Sequence, residues 1–333
     1  MHKNVGVKMG KISESHGELY HYTTAAGLSG ILQSKSLWAT HTSFMNDEEE
    51  ILGFYDRVLP KILHPIYKKY IKEVRDNPKF LALIGTTPIE RYCSNEFAQL
   101  IGNFKGVAPI THDHYVTSFS TTNDAWIREH GLLSQWRAYG PDGGYAIVFD
   151  TRPFEKLLDE EAAHYKGDTY SWADVQYELH PNRRTGDADT DNWIEILERA
   201  SDKYFRSNSS DDLGELLEPL TILSTLFKHR GFDEEKEVRL VLSLFGSEME
   251  SHVGIKAAPE HPVKAMVRGG ATVPFVELCV KETNGVRENL PIKKVIVGPH
   301  RDKNERKRAV QLLLRQHGVS AEVCVSDIPY RGK

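Results

Sequence analysis

Glu235-x-Glu237-x-Arg239 is the stretch of this chain whose residue types and spacing say most about chemistry. It opens a run, Glu235 to Leu242, that alternates as a strand does. That predicts Glu235, Glu237 and Arg239 on one face and Lys236, Val238 and Leu240 on the other. Two carboxylates about 7 Å apart on one strand face repel when buried, so they need a cation, a ligand or solvent. An exposed face with an ion pair to Arg239 meets that need. So does a carboxylate aimed at a ribose hydroxyl or a developing sugar cation, with its neighbours setting its direction. His21, between Tyr20 and Tyr22, offers a hydrogen bond to a ribose hydroxyl beside ring faces for stacking, and it also suits a packed core histidine. Ser118 and Ser120 place two hydroxyls on one strand face around Phe119, where turn capping is the plainer use. Trp136 and Tyr139 stand three apart, hence on one helix face, as core packing also requires.

Other constellations carry less. His112-Asp113-His114 alternates two imidazoles without further ligand spacing, so no metal is assigned. The turn from Gly140 to Gly144 lacks the Lys-Ser/Thr ending of a phosphate-cradling loop. Arg301, Lys303, Arg306, Lys307 and Arg308 crowd one loop–helix junction, which reads as a solvated helix face, with nucleic-acid phosphate the rival use.

The elements that must position these residues follow from periodicity. Tyr20 to Thr23 suits a strand, and Thr23 or Thr24 then caps a helix with Ala25, Leu28, Ile31 and Leu32 on one side. A strand at Leu37 to Thr40 comes next. Asp47 to about Phe104 reads as helical, broken by Pro60, Pro65, Pro78 and Pro88. His114 to Ser120 and Tyr145 to Phe149 read as strands around a helix at Gly131 to Tyr139. Ala173 to Leu179 alternates like a strand, and a polar loop, His180 to Asp191, leads into a helical stretch to His229. Further strands are predicted at Val263 to Val267, Phe275 to Val280, Lys294 to Gly298 and Ala321 to Val325. A helix at Lys303 to Gln316 ends near Gly318. Strands scattered among unequal helices, without regular βαβ spacing, favour a single α+β domain over 1–333 with a helical insertion at 47–110 and a helical segment at 189–230.

Composition bounds the function. The 333 residues are 40% hydrophobic, enough for a sizeable core. Lys and Arg number 42 against 47 Asp and Glu, a net charge of −5, so no global field recruits nucleic acid or an anionic membrane. Cys93, Cys279 and Cys324 are odd in number and far apart, which argues against a disulfide framework and for a cytoplasmic chain. A mean hydropathy of −0.45 and the absence of any apolar run near 18 residues predict no membrane partner.

Taken in order, His21-Tyr22-Thr23, Leu32 to Trp38, Asn46-Asp47-x-x-Glu50, Ser118-Phe119-Ser120, Trp136-x-x-Tyr139 through Gly144 to Phe149-Asp150, Glu235-x-Glu237-x-Arg239 and Val297-Gly298-Pro299 resemble the family called domain of unknown function 2971, DUF2971. The resemblance runs from about 19 to 330. It departs where the family often has Pro after Asn-Asp and this chain has Glu48, and where the family has Trp and this chain has Phe232. At greater distance, a histidine before a helix, a Ser-rich strand and a late Glu-x-Glu resemble the three-motif layout of ADP-ribosyltransferases. That second resemblance implies a mixed or split β-sheet core and NAD as a consumed substrate. It implies that His21, Tyr22 and Thr23 hold a ribose, that Ser118 and Ser120 brace the pocket, and that Trp136, Tyr139 and Arg239 line it. Glu237 then stabilises the oxocarbenium-like sugar, and Glu235 orients or deprotonates an acceptor. The acceptor, whether protein, nucleic acid or water, and the oligomeric state are left open. The implied activity is an ADP-ribosyltransferase or NAD glycohydrolase in toxin or anti-phage defence. The alternative is a nucleotide-binding sensor or interaction module without turnover.

Overall fold

The structure is a computed structural model that describes residues 11–44, 48–111, 114–140, 143–165, 168–207, 209–244 and 261–330. The markers Asn46 and Asp47, the imidazole of His112 with Asp113, and Pro141-Asp142 of the glycine turn lie outside the described residues. The chain groups into two compact units. One holds Met1–His41, His114–Asp174 and Asp233–Lys333, and the other Thr42–Asp113 with Val175–Phe232.

The first unit is built on β1 (Glu18–Thr23), β2 (Leu37–His41), β3 (His114–Ser120), β4 (Tyr145–Asp150), β5 (Thr169–Asp174) and β6 (Glu237–Ser243). It continues with β7 (Val263–Arg268), β8 (Ala271–Leu278), the short hairpin β9 (Glu282–Thr283) and β10 (Val286–Arg287), then β11 (Ile292–Val297) and β12 (Glu322–Val325). Ten of these strands make one sheet. Its path runs β12-β11-β4-β1-β3-β2-β8-β7, with β6 paired to β3 and β5 paired to β6. β11 and β12 are parallel and their neighbours antiparallel, so the sheet is mixed and the fold is α+β.

The sheet forks at β3. β6 pairs with β3 along its whole length and so occupies one edge. β1 and β2 must share the other: β1 meets it only at Tyr20↔Ser120, and β2 only at Thr40↔Val116 and His41↔Tyr115. The helix Ala25–Ser34 joins the two prongs. Thr24 caps it by accepting the Gly27 N–H at 3.2 Å, Leu28, Ile31 and Leu32 are its buried side, and Lys35 ends it in the left-handed conformation.

Alternation sends each strand's residues to two apolar layers. Leu19, Phe119, Ile147, Phe149, Val238, Leu240 and Val295 belong to the larger. Tyr20, Tyr22, Trp136, Ala146, Val148 and Ile296 form a smaller one on the opposite face. The helix Lys303–Gln316 has the predicted bounds, with Gly318 at a positive φ of 67° beyond its end. The helix predicted at Gly131 to Tyr139 is found at Leu133–Tyr139, and a separate helix, Ala125–His130, precedes it across Gly131, which takes a φ of 74°.

The second unit is helical: Glu48–Gly53, a π-helical turn Phe54–Val58, Leu59–Val74, Pro78–Ile84, Ile89–Thr111, Ala188–Ser207 and Ser210–Leu226. Pro78 starts a helix, as expected of a residue whose missing N–H has no partner there anyway. Pro65, expected to be a break, instead lies inside Leu59–Val74. Its ring removes a hydrogen bond to the carbonyl of Lys61, and both residues sit on the exposed side of the helix. The strand expected at Ala173 to Leu179 ends instead at Asp174, and only an isolated bridge, Gln176↔Phe227, follows.

Candidate functional site

The fork explains where His21 sits. Between the pairings of β1 and β2, no strand among the described residues pairs with the middle of β3 on that edge, and the carbonyl of Ser118 is taken by the His21 Nδ1 at 3.0 Å. A carbonyl only accepts, so Nδ1 carries the hydrogen and Nε2 is left as an acceptor in the neutral ring. Burial pushes the His21 pKa below the ordinary histidine value, against the smaller opposing effect of the Ser118 carbonyl. The ring lies 5.8 Å from that of Phe119.

Across β3 the polar residues line up. Ser118 stands opposite Arg239 and Ser120 opposite Glu237. Arg239 donates from Nε to Glu237 Oε1 at 2.7 Å and from Nη2 to Oε2 at 3.2 Å, a two-pronged pair with side chains 1% and 6% exposed. Two residues apart on one strand, they point the same way, which is why the fork-shaped guanidinium reaches both oxygens.

Glu235 departs from expectation. The strand begins at Glu237, and Glu235 is the last residue of a 3₁₀ turn, Arg230–Glu235. Lys236 between them has a φ of 42°, and its carbonyl is bound by the Thr121 N–H at 2.9 Å and the Thr121 hydroxyl at 3.1 Å. A left-handed residue breaks strand alternation, so Glu235 and Glu237 are both buried but do not share a strand face.

The structure therefore brings His21, Ser118, Ser120, Glu237 and Arg239 onto three neighbouring strands. It also divides them. Register puts Ser118, Ser120, Glu237 and Arg239 on the face of Tyr20, while His21 leaves β1 on the face of Phe119. Thr23, at the end of β1, is half-buried opposite Tyr145.

The aromatic residues pack. Trp136 is fully buried, edge-on to Tyr22 with ring centroids 4.8 Å apart, and its Nε1 donates to the His130 carbonyl at 2.9 Å. The Tyr22 hydroxyl accepts the Leu132 N–H at 2.8 Å, and burial pushes its pKa well up. Tyr139 is half-buried against the same cluster. A side chain on Gly131 would come within 2.5 Å of the Trp136 ring, so the helix boundary at Gly131 and the seating of Trp136 require each other.

A second buried polar cluster escaped the sequence reading. His261 places Nδ1 2.6 Å from Asp168 Oδ2, and Nε2 lies 2.9 Å from Glu161 Oε1 and 3.0 Å from the Tyr170 hydroxyl. The Tyr165 ring stacks on the imidazole at 3.5 Å, and the Cys279 N–H donates to the other Glu161 oxygen. Burial alone would lower the His261 pKa, but hydrogen bonds to Asp168 and Glu161 outweigh it and hold it above the ordinary histidine value. No short motif signals this cluster, because its members come from the end of one helix, the start of β5 and two later segments. Among the described residues no group of three or more His, Cys, Asp or Glu could hold a metal ion.

Fold and site together define a mixed-sheet α+β protein with a buried ionic pair on the strand across β3 from a sheet fork, and no helix among the described residues is long and apolar enough to cross a membrane. Residues 135–240 match the family described as "Protein of unknown function (DUF2971)", a span that contains Trp136, Tyr139, Glu235, Glu237 and Arg239. His21, Ser118 and Ser120 lie before it. Neither curated proteins nor solved structures gave a match.

Proposed function

We propose that the fork binds NAD or a related nucleotide and that the protein cleaves the nicotinamide–ribose bond, as an ADP-ribosyltransferase or NAD glycohydrolase. The observation that carries this reading is that His21, Ser118 and Glu237, far apart in the chain, lie on three adjacent strands, with His21 bonded to the Ser118 carbonyl although its side chain leaves the sheet on the other face. The neutral His21 presents Nε2 as an acceptor for a ribose hydroxyl. In the reaction the C1′–N bond breaks and its electron pair leaves with neutral nicotinamide. The carboxylate of Glu237 stabilises the positive sugar more in the transition state than before it. An acceptor hydroxyl or water then bonds to C1′, and Glu235 takes its proton. Trp136 and Tyr22 serve by bracing the fork from the core rather than by stacking on the ligand.

The rival reading, a nucleotide sensor without turnover, draws on the same geometry, because a carboxylate gripped by Arg239 at both oxygens suits binding as well as catalysis. Nicotinamide release by the full chain, with and without cell extract as acceptor source, separates them. Glu237→Gln should lower release about 100-fold or more with NAD affinity little changed. Glu235→Gln should reduce transfer to an acceptor more than hydrolysis. Saturable NAD binding without release selects the sensor, and no release together with no binding by calorimetry rejects the NAD reading.

A further inference from the structure

The helix Leu59–Val74 of the helical unit carries a basic stripe that continues past its end. At about 100° per residue, Lys61, Lys68, Lys72 and Arg75 fall within an arc of about 60°, all of them exposed, while Leu59, Ile62 and Leu63 are buried on the other side. The next helix, Pro78–Ile84, holds exposed Lys79 in its first turn. Only Asp76 and Asn77 separate Arg75 from Pro78, so that helix starts within about 11 Å of the stripe's end. Apart from Lys79, Pro78–Ile84 is apolar all round. Phe80 and Ile84 form its inward side, with the Phe80 ring 5.9 Å from that of Tyr92 and Ile84 buried. Leu81, Ala82 and Leu83 face outward, Leu81 45% and Leu83 69% exposed. We propose that this face docks on an anionic lipid surface, with Leu81 and Leu83 entering the headgroup boundary and the basic stripe lying along the charged headgroups.

Two independent features carry the proposal. The first is charge. Among the described residues Lys61, Lys68, Lys72 and Lys79 have no ion-paired or hydrogen-bonded acid, and Arg75 has only its exposed neighbour Asp76, at 3.5 Å. Glu73, the sole acid within Leu59–Val74, is turned to Arg206 instead. Lys68 and Lys72 are four apart and Lys72 and Arg75 three apart, like-charged pairs that weaken a helix, whereas elsewhere Lys156 pairs with Glu160 and Arg206 with Asp202 at that spacing. The chain's net charge is −5, so this stripe is a local field set against the global one. The second feature is apolar exposure. A helix apolar on all sides is ordinarily buried, yet the outward half of Pro78–Ile84 is open. A lipid surface accommodates both, since apolar side chains at the headgroup boundary and cations against anionic lipids are the two contributions that peripheral binding combines. Nucleic acid has no use for Leu81 and Leu83. An acidic protein groove favours the planar fork of arginine, whereas four lysines, with compact ammonium groups, suit a diffuse layer of charge. The seven residues of Pro78–Ile84 reach about 10 Å, far short of a span, so the contact is peripheral, a mode that the lack of a spanning helix leaves open.

The test is co-sedimentation of the full chain with vesicles of phosphatidylserine and phosphatidylcholine, and with phosphatidylcholine alone, at low and at high salt. The chain should bind the mixed vesicles at low salt, bind phosphatidylcholine alone far less, and be released from the mixed vesicles by high salt. Lys68→Gln/Lys72→Gln should weaken partition about 25-fold, at about fivefold per cation. Leu81→Ser/Leu83→Ser should weaken it about tenfold with the melting midpoint unchanged, because both side chains are already exposed. Arg301→Gln/Arg308→Gln, in the exposed basic segment of the sheet unit, should bind as the wild type does, which separates oriented docking from general attraction of cations. Absence of vesicle binding, or undiminished binding by either the Lys68/Lys72 or the Leu81/Leu83 double variant, overturns the proposal. So does retention of a DNA duplex without vesicle binding, which assigns the stripe to nucleic acid. A dimer that Leu81→Ser/Leu83→Ser splits, again without vesicle binding, assigns the apolar helix to a second copy and overturns it equally.

Discussion

The Glu237–Arg239 pair and the cluster around His261 are both buried in the sheet unit, yet they are made in opposite ways. The first is local, two residues on one strand joined through two hydrogen bonds. The second gathers Glu161, Asp168, Tyr170 and His261 from separate elements around one imidazole. A guanidinium keeps its charge at any pH at which the chain folds, whereas an imidazole does not. Burial of ions thus has two outcomes here: a pair whose cation keeps its charge, and a cluster whose strength depends on a proton on its imidazole.

The largest test of that contrast is Arg239→Leu, which strands the Glu237 carboxylate in the interior and should cost about 3–5 kcal/mol by chemical denaturation. Adding Glu237→Leu to the same chain should recover most of that loss, because two apolar side chains no longer carry a desolvated ion. A double variant as unstable as the single one would show that the pair is needed for more than charge balance.

His261→Gln should act less strongly and in a pH-dependent way. The folded His261 pKa is raised, so its stabilisation is fully present below the unfolded value of about 6.5 and is lost as pH rises through the folded value. The stability gap between wild type and His261→Gln should therefore narrow with rising pH in that window. An imidazole titration followed by NMR should place the His261 midpoint above the ordinary one. A midpoint below it would remove the distinction between the two clusters.

The smallest effect is expected at Cys279, buried with a φ of 60° and donating its N–H to Glu161. Cys279→Gly relieves left-handed strain of about 1–2 kcal/mol and forfeits a buried side chain of similar worth, so the melting curve should barely move. A large loss would mean that the thiol itself supports the His261 cluster.

What the sequence made legible follows from this division. Arg239 and Glu237 are close in sequence as well as space, so strand periodicity alone paired them. The helix Lys303–Gln316 was legible for a similar reason, since its apolar stripe and the glycine beyond it are local signals. Glu235 was misplaced because a left-handed Lys236 has no signature: lysine is not a residue that announces a positive φ, as glycine or asparagine does. The fork is hidden for a deeper reason. Whether β1 or β2 takes a given stretch of β3 depends on pairings between residues far apart, which no local pattern encodes.

The places where the helical unit leaves and rejoins the sheet unit have a consequence for assembly. Thr42–Asp113 lies between β2 and β3, and Val175–Phe232 between β5 and β6, and each of those strand couples is hydrogen-bonded directly. Topologically both are hairpins whose connecting loops have grown long. Lengthening a loop raises the entropy lost on closing it by about 0.6 kcal/mol per doubling, so each hairpin on its own would zip reluctantly. Because the two long loops fold with each other, one event shortens both: once they have coalesced, the free chain left to close β2 on β3 and β5 on β6 is only a few residues. Strand pairing and helix assembly are then two halves of a single cooperative step. A chain with either loop cut to a tight turn would leave the other to bear its closure cost alone.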